Sequence, residues 1–165
     1  MNADGISIRN SLRAGDIGYI VYLHGYLYQQ EYGYGIAFET YVASGLLEFQ
    51  QQYDPSRDGV WICEHEGRIV GSLFLVNRGE TAQLRYFILC PGYRGIGLGH
   101  RLLELFMEHL NEKQYRGAYL WTTDELAAAA HLYTRFGFRL TETKASAAFG
   151  KKLMEQRYDL RLELI

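Results

Sequence analysis

A glycine-rich turn before a predicted helix is the segment of this chain with the clearest chemical potential. It runs from Leu89 to Gly99 and has the sequence LCPGYRGIGLG. The first N–H groups of a helix lack backbone acceptors, and the helix dipole adds partial positive charge at the same end. Such a turn is suited to hold a phosphate or a pyrophosphate. The sequence therefore predicts a phosphorylated ligand at residues 94–100.

Three known glycine-turn motifs compete for this segment. A P-loop requires Gly-Lys-Ser or Gly-Lys-Thr, and the chain contains neither. The dinucleotide fingerprint requires a third glycine where this chain has His100, although Gly95 and Gly97 meet its first two positions. The run from Arg94 to Gly99 matches the third motif, Q/R-x-x-G-x-G/A. It resembles the acetyl-CoA pyrophosphate loop of the GNAT N-acetyltransferases.

A second run of residues strengthens this resemblance. The segment Leu132–Phe138, LYTRFGF, matches the family signature Leu-Tyr-x-x-x-Gly-Phe. Residues 24–33 and 149–157 look like the acetyltransferase half of bacterial proteins that fuse a MarR-type regulator to such a domain. The resemblance implies an enzyme that transfers an acetyl group from acetyl-CoA to the amine of a small molecule or an exposed amino group. The amine would attack the thioester directly in a ternary complex.

The resemblance also implies a role for individual residues. The Leu89 N–H would face the thioester oxygen, and Tyr133 would protonate the leaving thiolate. The backbone of β-strand residues 87–89 would pair with the pantetheine arm, and the turn would hold the pyrophosphate. The implied acetyl-CoA contacts are Phe87, Ile88, Leu89, Arg94, Gly95, Ile96, Gly97, Leu98, Gly99, His100 and Tyr133.

The base that deprotonates the amine is harder to assign. Some family members carry a glutamate on the strand before the turn, but residues 81–90 contain no carboxylate here. We expect Glu31 to act as the base. His24 is another candidate, Glu39 and Glu48 are weaker ones, and a base acting through water is a further alternative. Leu126 also stands where many members have a pantetheine-binding asparagine, which Thr122, Thr123 or Asp124 could replace. A non-catalytic acyl-CoA sensor therefore stays open as the alternative function.

The composition limits the remaining function classes. The 165 residues carry a formal net charge of −2, which argues against a nucleic-acid partner, and no apolar run is long enough for a membrane span. The two cysteines stand far apart, which favours free thiols in the cytoplasm and suggests no metal site. Eight of the 14 tyrosines lie within the first 53 residues, so a homodimer through this region is possible. We expect one acetyltransferase domain over residues 1–165.

The apolar pattern predicts an α/β (α+β) fold with a mixed, mostly antiparallel sheet of about seven strands and about four helices. The predicted order is β-α-α-β-β-β-α-β-α-β-β. The third helix is expected over about 97–113, with Leu102, Leu103, Phe106 and Leu110 facing the core. Asp16 and Asp124 are expected to cap the first and fourth helices, the fourth running over 125–135. The last strand is expected over 156–164.

Overall fold

The computed structural model describes residues 3–163 and has the predicted order of elements. Seven strands and four helices lie within these residues, so the predicted fold class is confirmed. The strands are β1 (Ile6–Arg9), β2 (Gly59–His65), β3 (Arg68–Arg78), β4 (Thr81–Leu89), β5 (Gly117–Thr123), β6 (Arg139–Ser146) and β7 (Leu153–Arg161). The helices are α1 (Asp16–Tyr32), α2 (Ile36–Gln51), α3 (Leu98–Glu112) and α4 (Ala127–Arg135).

The strands form a single sheet in the order β1-β2-β3-β4-β5-β7-β6. Every neighbouring pair is antiparallel except β4 and β5, which are parallel. The first four strands follow one another directly in space, β1 being joined to β2 through the helical pair. The parallel contact in the middle of the sheet requires a crossover, which α3 supplies.

Apolar side chains on the two faces of the sheet form two separate cores. On β2, Val60 and Ile62 pack with α1 and α2, whereas Trp61 and Cys63 pack on the side of α3. This alternation follows from the two-residue period of a strand. The predicted core face of α3 is confirmed, because its four apolar side chains are fully buried on that side: Leu102, Leu103, Phe106 and Leu110.

A β-bulge interrupts the alternation on β4. Arg85 pairs with Phe74 and Ile88 pairs with Ser72, so three steps along β4 match two along β3. Tyr86 has a positive φ of 53°, and the Ser72 hydroxyl donates a 2.6 Å hydrogen bond to its carbonyl oxygen. The extra residue turns Tyr86 towards the α1–α2 side, where an unbroken alternation would have placed it on the other side. It thereby reorients the end of β4.

The parallel strands β4 and β5 separate soon after they meet. Their pairing covers only Thr81–Gln83 against Gly117–Tyr119. Beyond Gln83 no register pair joins them, although β4 continues to Leu89 and β5 to Thr123. A wedge therefore opens between the two strands beside residues 87–89.

Both predicted helix caps are wrong. Gly15, with a φ of 94°, precedes α1, and the Asp16 carboxylate accepts hydrogen bonds from Arg9 and from the Arg13 N–H instead. The helix α4 starts only at Ala127, because Asp124 bonds to β7: its N–H donates to the Met154 carbonyl and its carboxylate accepts from the Met154 N–H, each at 3.0 Å. These bonds keep residues 124–126 out of the helix.

The last strand also differs from its prediction. It starts three residues earlier, at Leu153, and ends at Arg161, since Leu153–Arg161 pairs with both β5 and β6. Residue 164, the predicted end of this strand, lies outside the described residues. Within residues 3–163, no helix is both long and apolar enough to cross a membrane. Over the same residues, no group of three His, Cys, Asp or Glu side chains is placed to hold a metal ion.

We expect replacement of Gly117 by alanine to lower the free energy of unfolding. A methyl group at Gly117 would lie 2.2 Å from the Leu160 carbonyl oxygen on β7, so the backbone must move. Overpacking of this kind costs about 1–3 kcal/mol. Urea unfolding of Gly117→Ala measures the change. In the control Gly18→Ala, the methyl group meets nothing within 4 Å on a helix, and a gain of about 0.5–1 kcal/mol is expected. Unchanged stability of Gly117→Ala would contradict the tight contact.

Candidate functional site

The glycine turn adopts a backbone conformation that depends on its glycines. Gly95 and Gly97 have φ values of 74° and 86°, in the left-handed region that other residues rarely occupy. Gly97 precedes the first residue of α3, and the Arg101 N–H donates to its carbonyl at 3.0 Å. The N–H groups of residues 98–100 therefore precede the first of these helix bonds. They are the groups that a helix N-terminus presents to an anion.

The turn lies at one end of a groove of about 560 Å³. The β4 end forms the floor of this groove, and residues 125–135 form its opposite wall. Eight of the predicted acetyl-CoA contacts line it: Phe87, Ile88, Leu89, Arg94, Gly95, Gly97, Gly99 and His100. Ile96 and Leu98 instead pack against the core, and Tyr133 lines an adjoining cavity.

The Leu89 N–H points into the wedge between β4 and β5. The next residue, Cys90, donates its N–H to the Val70 carbonyl of β3 at 2.9 Å. Because successive residues of a strand direct their N–H groups to opposite sides, the N–H of Leu89 faces away from β3. On that side no β5 residue pairs with it. The strand end thus offers a free backbone edge to an extended ligand.

Arg94 and Glu31 form an ion pair across the groove mouth. Both Arg94 nitrogens of the guanidinium end bond to the Glu31 carboxylate, and Arg94 Nε donates to the Leu89 carbonyl at 3.0 Å. Hydrogen bonding from Arg94 holds the pKa of Glu31 below its usual value. A carboxylate with a lowered pKa is a weaker base. Glu31 therefore holds the Arg94 side chain in position, a role that the sequence did not suggest.

Tyr133 is buried where the groove meets a smaller cavity of about 140 Å³. Its ring packs against Phe87, with centroids 6.1 Å apart, and it lines the smaller cavity. Burial raises the pKa of Tyr133 far above its ordinary value, so the hydroxyl stays protonated. The groove and the smaller cavity form one continuous site, because they share four lining residues: Tyr28, Phe87, Leu126 and Ala129.

His24 lies in the wall of the smaller cavity as a neutral imidazole. Its Nδ1 is 2.8 Å from the Ile20 carbonyl oxygen, and since a carbonyl only accepts, this nitrogen carries the proton. Burial lowers the pKa of His24 to about 4, and the positive charge of Arg85 acts in the same direction. With this pKa, the His24 imidazole is a weak base and stays unprotonated at its second nitrogen at neutral pH.

Of the three residues that could replace the missing asparagine, Thr122 lines the smaller cavity, and the other two have other partners. Thr123 Oγ1 is 2.7 Å from the Tyr34 hydroxyl, and Asp124 is bonded to Met154. Sequence reasoning also missed Tyr28 and Arg85, both of which line the site. Tyr28 lies on a helix with three exposed tyrosines, Tyr19, Tyr22 and Tyr26, and Arg85 lies directly before the bulge at Tyr86. No local sequence signal marks that bulge.

A comparison with protein families agrees with this geometry. The model of the Acetyltransferase (GNAT) family matches residues 24–138, which is more than half of the chain. The chain belongs to the GNAT acetyltransferase family. The match starts at His24 in α1 and extends to Phe138 after α4, so it contains the glycine turn, Tyr133 and every residue that lines the groove.

Curated relatives carry acetyltransferase names. The chain is 30% identical over 103 residues to the uncharacterized N-acetyltransferase YjgM of Escherichia coli K12, covering 60% of this chain and 62% of that protein. It is 29% identical over 105 residues to the mycothiol acetyltransferase of Cellulomonas flavigena, covering 57% of this chain and 30% of that protein. The alignments thus span less than two thirds of each of these relatives.

Solved structures of other acetyltransferases share the GNAT fold. A GNAT acetyltransferase from Staphylococcus aureus superposes with a TM-score of 0.78 at 22% identity, covering 96% of this chain and 99% of that chain. The protein yncA of Salmonella typhimurium, solved with its cofactor acetyl-CoA, superposes with a TM-score of 0.72 at 19% identity, covering 97% of this chain and 95% of that chain.

We expect Gly97→Ala to weaken acetyl-CoA binding. An alanine at a φ of 86° is strained even though its methyl group meets nothing within 4 Å. The turn would relax and misalign the N–H groups of α3, which raises the Kd by about tenfold for a cost near 1–2 kcal/mol. Titration calorimetry with acetyl-CoA measures this change.

The control for this experiment is Gly92→Ala in the same segment. Its methyl group also meets nothing within 4 Å, and its φ does not lie in the left-handed region. The Kd of this variant should match that of the wild type. Equal weakening by the two substitutions would contradict the role given to the turn conformation.

The buried imidazole predicts a specific pH dependence of stability. The pKa of His24 is about 4 in the folded chain and about 6.5 in the unfolded chain, so the unfolded chain binds the extra proton between these values. The free energy of unfolding should therefore fall as the pH drops from about 6.5 to about 4, by up to about 3 kcal/mol. Urea unfolding over this pH range should show a smaller fall for His24→Asn than for the wild type.

His131→Asn provides the control, because His131 is exposed on α4. Its pH dependence should follow that of the wild type. If the free energy of unfolding of His24→Asn depends on pH as that of the wild type does, protonation of the His24 imidazole does not cause the expected fall in stability.

Proposed function

We propose that this protein transfers the acetyl group of acetyl-CoA to an amine by direct attack within a ternary complex. The observation that carries this proposal is the wedge between β4 and β5. It places a free strand edge between a helix N-terminus and a buried tyrosine, at the junction of two connected cavities. One end of this site suits a pyrophosphate, and the other suits a small acceptor.

The backbone of the turn would hold the pyrophosphate of acetyl-CoA. The N–H groups of residues 95–100 and the dipole of α3 supply the attraction. Ile96 and Leu98 would take part through their backbone, since their side chains pack into the core. Because Arg94 is paired with Glu31, its charge is partly neutralised, and the backbone groups carry most of the binding.

The pantetheine arm would extend β4 as a short additional strand. Its amide groups would pair with the free edge at Phe87, Ile88 and Leu89, where β5 has moved away. The thioester oxygen would then meet the Leu89 N–H, which stabilises the negative charge that develops on it during attack.

Tyr133 would donate a proton to the departing thiolate. Its raised pKa makes it a weak acid in isolation, but the thiolate leaves within the same buried region. Burial raises the pKa of the thiol as well, which brings the two groups closer together in acidity. Hydrogen bonding from the hydroxyl thereby stabilises the leaving group.

The acceptor would lose its proton without a strongly basic side chain. Glu31 is held by Arg94, and His24 has a pKa of about 4, so neither retains a proton well at neutral pH. We propose that the amine reaches the thioester as the neutral fraction present in solution, or loses its proton to water in the open groove. After attack the nitrogen loses its surplus proton to water, and this proton replaces the one that Tyr133 donates to the thiolate. Glu31 would then act by positioning Arg94.

Four broader statements stay proposals. The likeness to the acetyltransferase half of MarR-type fusions and the single domain over residues 1–165 rest on sequence pattern. A cytoplasmic location is supported by two free cysteines. A homodimer is supported by three exposed, mutually stacked tyrosines on α1: Tyr19, Tyr22 and Tyr26.

Release of free CoA thiol from acetyl-CoA in the presence of a panel of primary amines tests the proposed reaction. Turnover that depends on the amine, with the acetylated amine identified by mass spectrometry, would support it. Tight acetyl-CoA binding without turnover across a broad panel would instead favour an acyl-CoA sensor.

In the same assay, Tyr133→Phe should lower kcat by about a hundredfold, the lower end of general-acid effects. Its Kd for acetyl-CoA should stay within about twofold of the wild type, since the ring is retained. Tyr158→Phe is the matched control: Tyr158 is buried beside Tyr133, with ring centroids 6.2 Å apart, but is absent from the walls of both cavities. Unchanged turnover of Tyr133→Phe would remove its assigned role.

A further inference from the structure

Arg85 on β4 lines the smaller cavity, which we call the acceptor cavity, and it has no acidic partner there. Its guanidinium carbon lies 4.7 Å from the ring centroid of Tyr86 and 5.4 Å from that of Tyr41. Among the described residues, no carboxylate forms an ion pair with it and no side chain accepts a hydrogen bond from it. Aromatic faces hold the group in place and leave its N–H donors available.

Two other cations near the acceptor cavity are already paired. Arg94 is bound to Glu31, and Lys151 lies 3.0 Å from Glu125. Glu155 also lines the acceptor cavity, but it forms no ion pair with Arg85. Arg85 therefore supplies the unmatched positive charge of this cavity among the residues that the structure describes.

A second polar group converges on the same place. The Tyr86 hydroxyl is buried and has no hydrogen-bond partner within residues 3–163. A methyl group on Gly45 of α2 would lie 2.2 Å from this oxygen and 2.8 Å from Arg85 Nη2, so the two groups lie side by side against α2, and both residues line the acceptor cavity. Buried polar groups normally have a partner, and a missing one points to a ligand.

The remaining walls of the cavity are largely aromatic. They include Tyr34, Phe38, Trp121 and Phe149. A space of about 140 Å³ with such walls suits one small apolar or aromatic group. Tyr133 lines the same cavity, which places the proposed leaving group within reach of a molecule bound to Arg85.

We propose that Arg85 and the Tyr86 hydroxyl bind a carboxylate of the acceptor, so that the substrate is an amino acid with an apolar or aromatic side chain. This inference rests on the proposed acetyl transfer and names its acceptor class. The planar guanidinium donates two parallel hydrogen bonds to a carboxylate, and the phenol adds a third. The aromatic walls contact the side chain, and the α-amine points towards the thioester.

A binding experiment tests the carboxylate subsite independently of turnover. Calorimetry of the CoA-loaded protein compares L-phenylalanine with phenethylamine, which lacks only the carboxylate. The wild type should bind phenylalanine tighter by about tenfold or more, the range of charge-assisted hydrogen bonds. Arg85→Gln should lose this preference, Arg85→Lys should keep part of it, and the control Arg116→Gln, at an exposed position, should keep all of it.

Three outcomes would overturn the subsite: binding of neither compound, equal binding of both by the wild type, or an unchanged preference in Arg85→Gln whose unfolding transition matches the wild type.

A turnover experiment with the same two compounds separates this proposal from the proposed reaction. If the binding preference depends on Arg85 but neither amine is acetylated, the subsite stands and the reaction fails. If phenethylamine is acetylated as efficiently as phenylalanine, in the wild type and in Arg85→Gln alike, the reaction stands and the subsite fails.

Discussion

The site of this protein depends on the mismatch between β3 and β4 at Tyr86. Three steps on one strand match two on the other, and the positive φ of Tyr86 is stabilised by the buried Ser72 hydroxyl. This single extra residue turns Tyr86 towards the acceptor cavity, on the side that Arg85 already faces, and leaves Phe87 and Leu89 facing the groove. Without it, the alternation of β4 would exchange Tyr86 with Phe87 and Leu89. Donor and acceptor surfaces are thus defined by one irregularity.

The fold could be predicted from the sequence because its signals are local. The glycine turn, the apolar face of α3 and the alternating strands each follow from residues close in the chain. The caps at Asp16 and Asp124 could not, since those carboxylates bind Arg9 and Met154, which are distant or belong to another element. A local rule predicts which residue type can cap a helix, but it cannot predict a competing partner.

The same distinction between local and distant partners explains which residues of the candidate site could be predicted from the sequence. The donor side is concentrated in one short motif, so its residues were found, although Ile96 and Leu98 turned out to face the core. The acceptor side combines α1, α2, β4, β5 and the loop before β7, so its residues share no spacing in the sequence. Glu31 illustrates the limit: its position near the cleft could be inferred, whereas its pairing with Arg94, 63 residues away, could not.

The free edge of β4 has a consequence for self-association. An unpaired stretch of strand is ordinarily a template on which another chain can add a strand and begin aggregation. Here the stretch lies inside the sheet, and the pairing of residues 81–83 with β5 closes the wedge at one end. A polypeptide strand would have to end at that point, whereas a thin, flexible chain with two amide groups could enter. The fold can therefore expose hydrogen-bonding backbone to a ligand while denying it to other proteins.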